Sequence, residues 1–315
     1  MKKILYILNP MKIRFSFLVI LMILIALPAL NAQDEAASEE TVMEETPAPK
    51  KENKPARPAF ESMWWFDGQT GVVNQAKTLE FVIQHRFATV GSSPKELLGL
   101  YGPSTNTRLG LNYSPIKNLN LGFGYTKLKY IVDLNAKYMI LTQTKDNSMP
   151  FSLTYYGNMG IEVQDESNYA WPVDRLSYFH QLILMRRFSK NFSLQIAPSF
   201  IHYNAVKVEA LSDGTTAYQS NDSWGLSIGA RYKITSIISI MAGYDTPLIN
   251  QPEGISKPLP SINLGIEIAT SNHAFQIFFT NYNRIQPQED FQYNQNDFKE
   301  GQWLIGFNIT RLRAL

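Results

Sequence analysis

The sequence contains no cysteine. That excludes disulfide frameworks, thiolate zinc sites and cysteine nucleophiles, and it excludes a lipoprotein anchor, which is built on a cysteine. Charge is also scarce: Asp, Glu, Lys and Arg make up 18% of 315 residues, below the quarter usual in soluble domains. The net charge of +2 leaves no basic footprint for nucleic acid. Histidine occurs four times, as His85, His180, His202 and His273. No pair of them has helical or short-loop spacing, so neither a metal site nor a cofactor is expected. Beyond residue 60 there is no long apolar run and no sustained helical period; the one helical hint is the Pro-led turn Ser93–Leu98, within a loop. Aromatic residues, in contrast, reach 12%.

What is present begins with an export signal. Lys12 and Arg14 precede an apolar run from Phe15 to Leu27, which Pro28 breaks. Ala29-Leu30-Asn31-Ala32 then offers small residues for cleavage before Gln33. Residues 1–32 therefore read as a signal peptide, and the run ends too early for a transmembrane helix. Its removal takes four basic residues and leaves a net charge of −2. Residues 33–59 form an acidic and then Pro/Lys-rich tether that cannot bury enough apolar surface to order itself. It reads as a spacer, or as a docking segment for a periplasmic or envelope partner.

From residue 78 onward, two-residue alternation recurs. Leu79, Phe81 and Ile83 alternate with Glu80, Val82 and Gln84. Trp224, Leu226, Ile228, Ala230 and Tyr232 alternate with Ser223, Gly225, Ser227, Gly229 and Arg231, and Ile262, Leu264 and Ile266 with Asn263, Gly265 and Glu267. Alternation puts one face in an apolar medium and the other in a polar one. About twelve such segments follow one another, each near the ten residues that a tilted membrane strand needs. Short connections alternate with long ones; only the connection at Tyr130-Ile131 breaks the rhythm. The reading is an all-β protein: a transmembrane antiparallel up-and-down β-barrel of about twelve strands over 78–315, with short periplasmic turns and long external loops. A soluble sandwich would alternate too, but would not space its loops so, nor place Phe123, Tyr125, Trp224, Tyr232 and Tyr244 at strand ends. Residues 60–77, with Trp64 and Trp65, form a lead-in that either plugs the lumen or caps its rim.

The chemistry, if any, lies in the lumen. Glu80, Arg86, Arg108, Lys137, Arg231 and Glu267 fall on the inward face. They either pair into a closed network or line a wet path. Arg86 and Arg108 are expected to pair with Glu80 or Glu267. The loop Asn283–Glu300, rich in Gln and Asn, is expected to lie open on the cell surface, where such side chains suit sugars or peptides. The enzyme signals are weak. Gly225-Leu226-Ser227-Ile228-Gly229 matches G-x-S-x-G, but it sits inside a regular strand with no helix after it. His85, His180 and His202 count to the lipid face, where an outer-membrane lipid hydrolase keeps its histidine, yet no serine stands two residues on.

Certain pieces, in order, carry a resemblance: Phe60-Glu61-Ser62, Leu79-Glu80-Phe81, His85-Arg86-Phe87, Thr107 to Leu111, Asn118 to Gly124, Arg187-Phe188-Ser189, Gly229 to Lys233 and Gly306 to Arg311. From Phe60 to Leu315 the chain resembles an outer-membrane β-barrel family of Bacteroidota known only as a domain of unknown function. The charged tether and the Trp64-Trp65 pair depart from that pattern. The resemblance implies a barrel and supplies no site residues. The expected function is thus a small-solute channel or transporter in contact with outer-membrane lipid. The alternative is a non-conducting structural or assembly component of the cell envelope, and an outer-membrane lipid hydrolase comes third.

Overall fold

A computed structural model describes residues 54–90, 99, 104–164, 169–211, 214–249 and 251–315. The signal segment, most of the tether and the Ser93–Leu98 turn lie outside the described residues. Twelve strands form the wall: β1 Thr78–Thr89, β2 Asn106–Ser114, β3 Leu119–Thr126, β4 Ile131–Leu141, β5 Ser152–Glu162 and β6 Leu176–Arg187. They continue as β7 Phe192–Tyr203, β8 Asp222–Lys233, β9 Ile238–Leu248, β10 Ser261–Ala269, β11 His273–Thr280 and β12 Leu304–Ala314. Each pairs antiparallel with its sequence neighbours. The last closes on the first, Asn308 opposite Gln84 and Ala314 opposite Thr78. The alternation read from sequence sets both faces. Large apolar side chains such as Leu109, Leu121, Phe123, Leu264, Ile266, Ile277 and Phe279 stand exposed on the outside. Glutamine, arginine, asparagine and acidic side chains are buried inside. A protein with its polar residues in and its apolar residues out is built for lipid.

The turns at residues 115–118, 188–191, 234–237 and 270–272 share the end of the barrel where β1 begins and β12 finishes. Asn118 takes φ 67°, a left-handed value that asparagine tolerates. The long connections gather at the opposite end. One carries a small hairpin, Val208–Ala210 against Thr216–Tyr218, and another a helix, α1, Pro287–Tyr293. The expected tight connection between β3 and β4 is one 3₁₀ turn, Leu128–Tyr130, in which Lys129 and Tyr130 both take positive φ. Among the described residues, a second compact unit joins Lys54–Ala56 with Gln143–Pro150. Within it the Ala56 amide donates to the Gln143 carbonyl at 2.8 Å, and Pro55 bridges to Thr144.

Candidate functional site

Twelve strands enclose more space than their own inward side chains fill, and two other segments of the chain occupy the remainder. The first runs from Ala59 to Val72. It doubles back through a two-residue ladder, Trp64 opposite Gln69 and Trp65 opposite Gly68, with Phe66 at φ 46°. Burial therefore starts at Ala59, the last residue of the span read as tether. A chain segment inside a barrel has no ladder partner for most of its carbonyls, so each needs a donor from elsewhere. The wall supplies them. The Phe66 carbonyl accepts from Gln84 (3.4 Å), Arg86 (3.2 Å) and Asn308 (2.6 Å). Gln276 donates to Trp64 O at 2.9 Å, Gln195 to Gln69 O at 3.0 Å, and Thr154 to Gly71 O at 2.6 Å. Lys137 Nζ reaches three carbonyls, those of Met63, Thr70 and Val72, at 3.0, 3.0 and 3.3 Å.

The apolar part of this plug is Phe60, Trp65, Phe66 and Val72, packed on Met185, Met241 and Phe278 of the wall. Trp65 needs room, and inward glycines on neighbouring strands provide it. A Cβ at Gly229 would stand 2.7 Å from the Trp65 ring, and one at Gly243 would stand 2.8 Å from its Nε1. The indole lies in a slot that no other residue type would leave open.

The second segment enters from the end with the long loops. Helix α1 and its flanks are buried: Gln286, Gln288, Glu289, Asp290, Phe291, Gln292 and Asn294 are each at most 5% exposed. The expectation of an open, solvated loop is therefore wrong for residues 285–294. Gln286 donates to Thr126 (3.0 Å) and Asp133 (2.7 Å), Gln288 to Asn158 (3.0 Å), while Gln292 accepts from Ser223 (3.0 Å). Phe291 fills the space that Gly225 leaves, a Cβ there falling 2.5 Å from its ring. Glu289 accepts from Lys129 (3.0 Å), Arg284 (2.7 Å) and Tyr203 (3.0 Å). Burial pushes its carboxyl up, but Lys129 and Arg284 outweigh that and hold it below the usual carboxylate range. Between plug and helix remains a cavity of about 20 Å³, lined by Asp67, Gln181, Ser227, Asp245, Tyr282 and Asp290. That is room for about one water molecule.

The structure buries all six charged residues singled out above, each at most 4% exposed. The expected pairing of both arginines with Glu80 or Glu267 does not form. Arg86 pairs with Asp67 of the plug. Arg108 makes a two-pronged contact with Asp133, Nε and Nη2 each 2.8 Å from a carboxylate oxygen. The side chain passes over Gly124, where a Cβ would collide with both partners. Glu80 instead accepts from Trp64 Nε1 at 3.0 Å and Asn112 at 2.9 Å. Glu267 lies 3.6 Å from Arg231 and accepts from Gln276 at 3.0 Å. Arg231 also reaches Glu61 and the Ala59 carbonyl. Every arginine or lysine of the set thus has a partner within the barrel, as a charge withdrawn from water requires. Asp133 also carries a sequence signal, since the alternation that turns Lys137 inward turns Asp133 inward too. Asp67, Glu289 and Asp290 had no comparable signal, because they lie outside the strands.

His180 contacts the Tyr155 hydroxyl at 2.6 Å and His202 contacts Asp222 at 2.6 Å, both on the outer surface. Ser227 of the G-x-S-x-G stretch faces inward on a continuous strand. Among the described residues no group of acidic or histidine side chains has metal-binding geometry.

A closed barrel with a polar, packed interior and an apolar exterior is the setting in which the sequence matches a known family over residues 60–312, described as a membrane bound beta barrel domain, DUF5777. The chain belongs to that family. It is an outer-membrane β-barrel protein. Among curated proteins no relative matches it. Solved structures similar to it include the NanC porin, at 9% identity and TM-score 0.45, with 75% of this chain and 99% of that one covered. An outer membrane channel from Pseudomonas putida F1 gives 11% identity and TM-score 0.45, covering 77% and 97%. The KdgM porin gives 9% and 0.41, covering 74% and 98%.

Proposed function

We propose that this protein is an outer-membrane channel for small polar solutes, held shut by two segments of its own chain. One observation carries the reading: the wall is hollowed by inward glycines at Gly225, Gly229 and Gly243, and Phe291 and Trp65 from outside the wall fill the hollows. A barrel meant only to be solid would fill its bore with wall side chains. Here the bore is kept, and the material closing it is joined to the wall largely through hydrogen bonds that water can replace. The competing reading is a non-conducting envelope component that docks a periplasmic partner through its tether.

The test uses the absence of native cysteine. A Cβ at Gly71 would lie 3.2 Å from Thr154 Oγ1 and 2.9 Å from the sulfur of Met185, whose flexible end must give way. Gly71→Cys with Thr154→Cys then places two thiols together. In planar bilayers the wild-type protein should open intermittently. The oxidised double variant should stay shut, and dithiothreitol should restore opening. Silence of the wild type, of the reduced variant and of a variant lacking residues 59–72 would leave the non-conducting reading in its place.

A further inference from the structure

Outside the filled bore, among the long loops, lies an open cavity of about 170 Å³, bordered by Lys207, Glu209, Gln219, Ser256, Arg284 and Tyr293. Three cations converge on the Tyr293 ring: Lys207 Nζ at 4.6 Å from its centroid, Lys129 Nζ at 4.8 Å and the Arg284 guanidinium at 5.5 Å. Two of them are committed. Lys129 pairs with Glu162 and Glu289, and Arg284 gives Nη1 to Glu289. Among the described residues no carboxylate pairs with Lys207, and Arg284 Nε and Nη2 are free to donate. Gln219 adds an independent sign. Its side chain is 6% exposed, and its Oε1 has no donor. A buried amide oxygen without a donor is uncommon, and a hydroxyl from a bound molecule would complete it.

We propose that this cavity binds a small sugar acid, its carboxylate on Lys207 and Arg284 and a hydroxyl on Gln219 Oε1. Ser256 and Glu209 offer further partners for hydroxyls. The size agrees: about 170 Å³ lies well below the 300–1,000 Å³ of drug-sized pockets and suits one monosaccharide rather than a chain. As a capture site at the mouth of the bore it rests on the channel reading. As a binding site it can be measured without conductance.

Calorimetric titration of the full mature protein in detergent with glucuronate, glucose and acetate tests it. Glucuronate should bind at least tenfold more tightly than either of the others. Lys207→Met, which disturbs no ion pair, should weaken glucuronate at least tenfold and leave glucose unchanged. Gln219→Leu should narrow the gap between glucuronate and acetate. Arg284→Lys should keep the contact to Glu289 and weaken glucuronate less than Lys207→Met does. No binding of glucuronate, equal binding of glucose, or full binding by Lys207→Met would overturn the site. Conductance without glucuronate binding would sink the site and spare the channel. Glucuronate binding with silent bilayers would do the reverse.

Discussion

The plug before β1 and helix α1 between β11 and β12 occupy one bore by different chemistry. The plug offers main-chain carbonyls, and the wall brings the side chains: Gln84, Arg86, Lys137, Gln195, Gln276 and Asn308. The helix brings its own side chains, Gln286, Gln288 and Gln292, to wall groups such as Thr126, Asn158 and Ser223. The seat of the plug is thus encoded in the strands, and the seat of the helix in the loop itself. The strength differs as well. Three wall residues that donate to plug carbonyls, Arg86, Lys137 and Arg231, are charged, and charge-assisted hydrogen bonds are about twice as strong as neutral ones. The plug also has an aromatic core, with Trp65 edge-on to Phe60 and Phe66 at centroid separations of 5.3 and 5.0 Å. Helix α1 has charged and aromatic contacts of its own, Glu289 with Lys129 and Arg284, and Phe291 stacked on Phe179. Those cations are 20% and 23% exposed whereas the plug's are buried, so the plug is the firmer closure.

The largest effect should come from breaking the plug at its wall anchor. Arg86 is fully buried and serves Asp67, the carbonyls of Phe66, His85 and Phe307, and Asn308. Arg86→Ala strands Asp67 in the interior, which costs about 3–5 kcal/mol for a buried pair losing one member. A single cysteine at Gly68, on the plug turn, reports the result. Maleimide should modify it slowly in the parent and much faster with Arg86→Ala, while Arg86→Lys falls between. Equal labelling in all three would mean that Arg86 does not hold the plug.

The strands were legible because lipid and lumen impose opposite polarity on successive residues, so Leu264 and Glu267 declare their faces by position alone. The inward charges were legible for that reason. Their partners were not, since Arg86 pairs with Asp67 from a segment without periodicity. The plug accepts through backbone carbonyls, which every residue has, so its docking leaves little trace in its own side chains. Helix α1 was misread for a sharper reason. Glutamine and asparagine signal a polar environment, and a lumen wall of Asn158, Ser223 and Asp133 is as polar as the solvent. Composition separates lipid from everything else; it does not separate water from the inside of this barrel.

A smaller effect should follow from loosening the helix while leaving the plug alone. Gln286→Ala and Gln288→Ala together remove hydrogen bonds to Thr126, Asp133 and Asn158. Each loss is worth about 1 kcal/mol, and Asp133 keeps Arg108. A cysteine at Gln292, buried in the parent, should then react on intact cells, while one at Gly68 stays protected. If both positions become reactive together, the two closures are one cooperative unit and the contrast drawn above fails. An epitope after Glu300, which is exposed, should stain on intact cells in every variant. Staining only after permeabilisation would invert the barrel.

The smallest effect is the dependence of helix docking on pH, and it has two arms of opposite sign. Burial works to raise the Glu289 carboxyl, but Lys129 and Arg284 bring it below its ordinary value. A lowered carboxylate lends stability above its unfolded pKa of roughly 4.3 and loses it as pH falls through the folded value. Asp290 behaves oppositely. Burial, reinforced by the neighbouring Asp245, raises its carboxyl well above the ordinary range, and the Ser261 hydroxyl donating at 2.6 Å does not offset that. A raised carboxyl lends its full stability below its unfolded pKa of roughly 3.9 and loses it as pH rises toward the folded value. Docking of α1 should therefore be strongest at about pH 4, where the two unfolded values lie, and weaken on both sides. Labelling of the Gln292→Cys protein across pH, corrected for the thiol's own ionisation, should trace a minimum. Asp290→Asn should flatten the alkaline arm and keep the acid one, and Glu289→Gln should do the reverse. An alkaline arm that survives Asp290→Asn would assign the proton to another group, and Asp245, which borders the same small cavity from the wall, would be the next to replace.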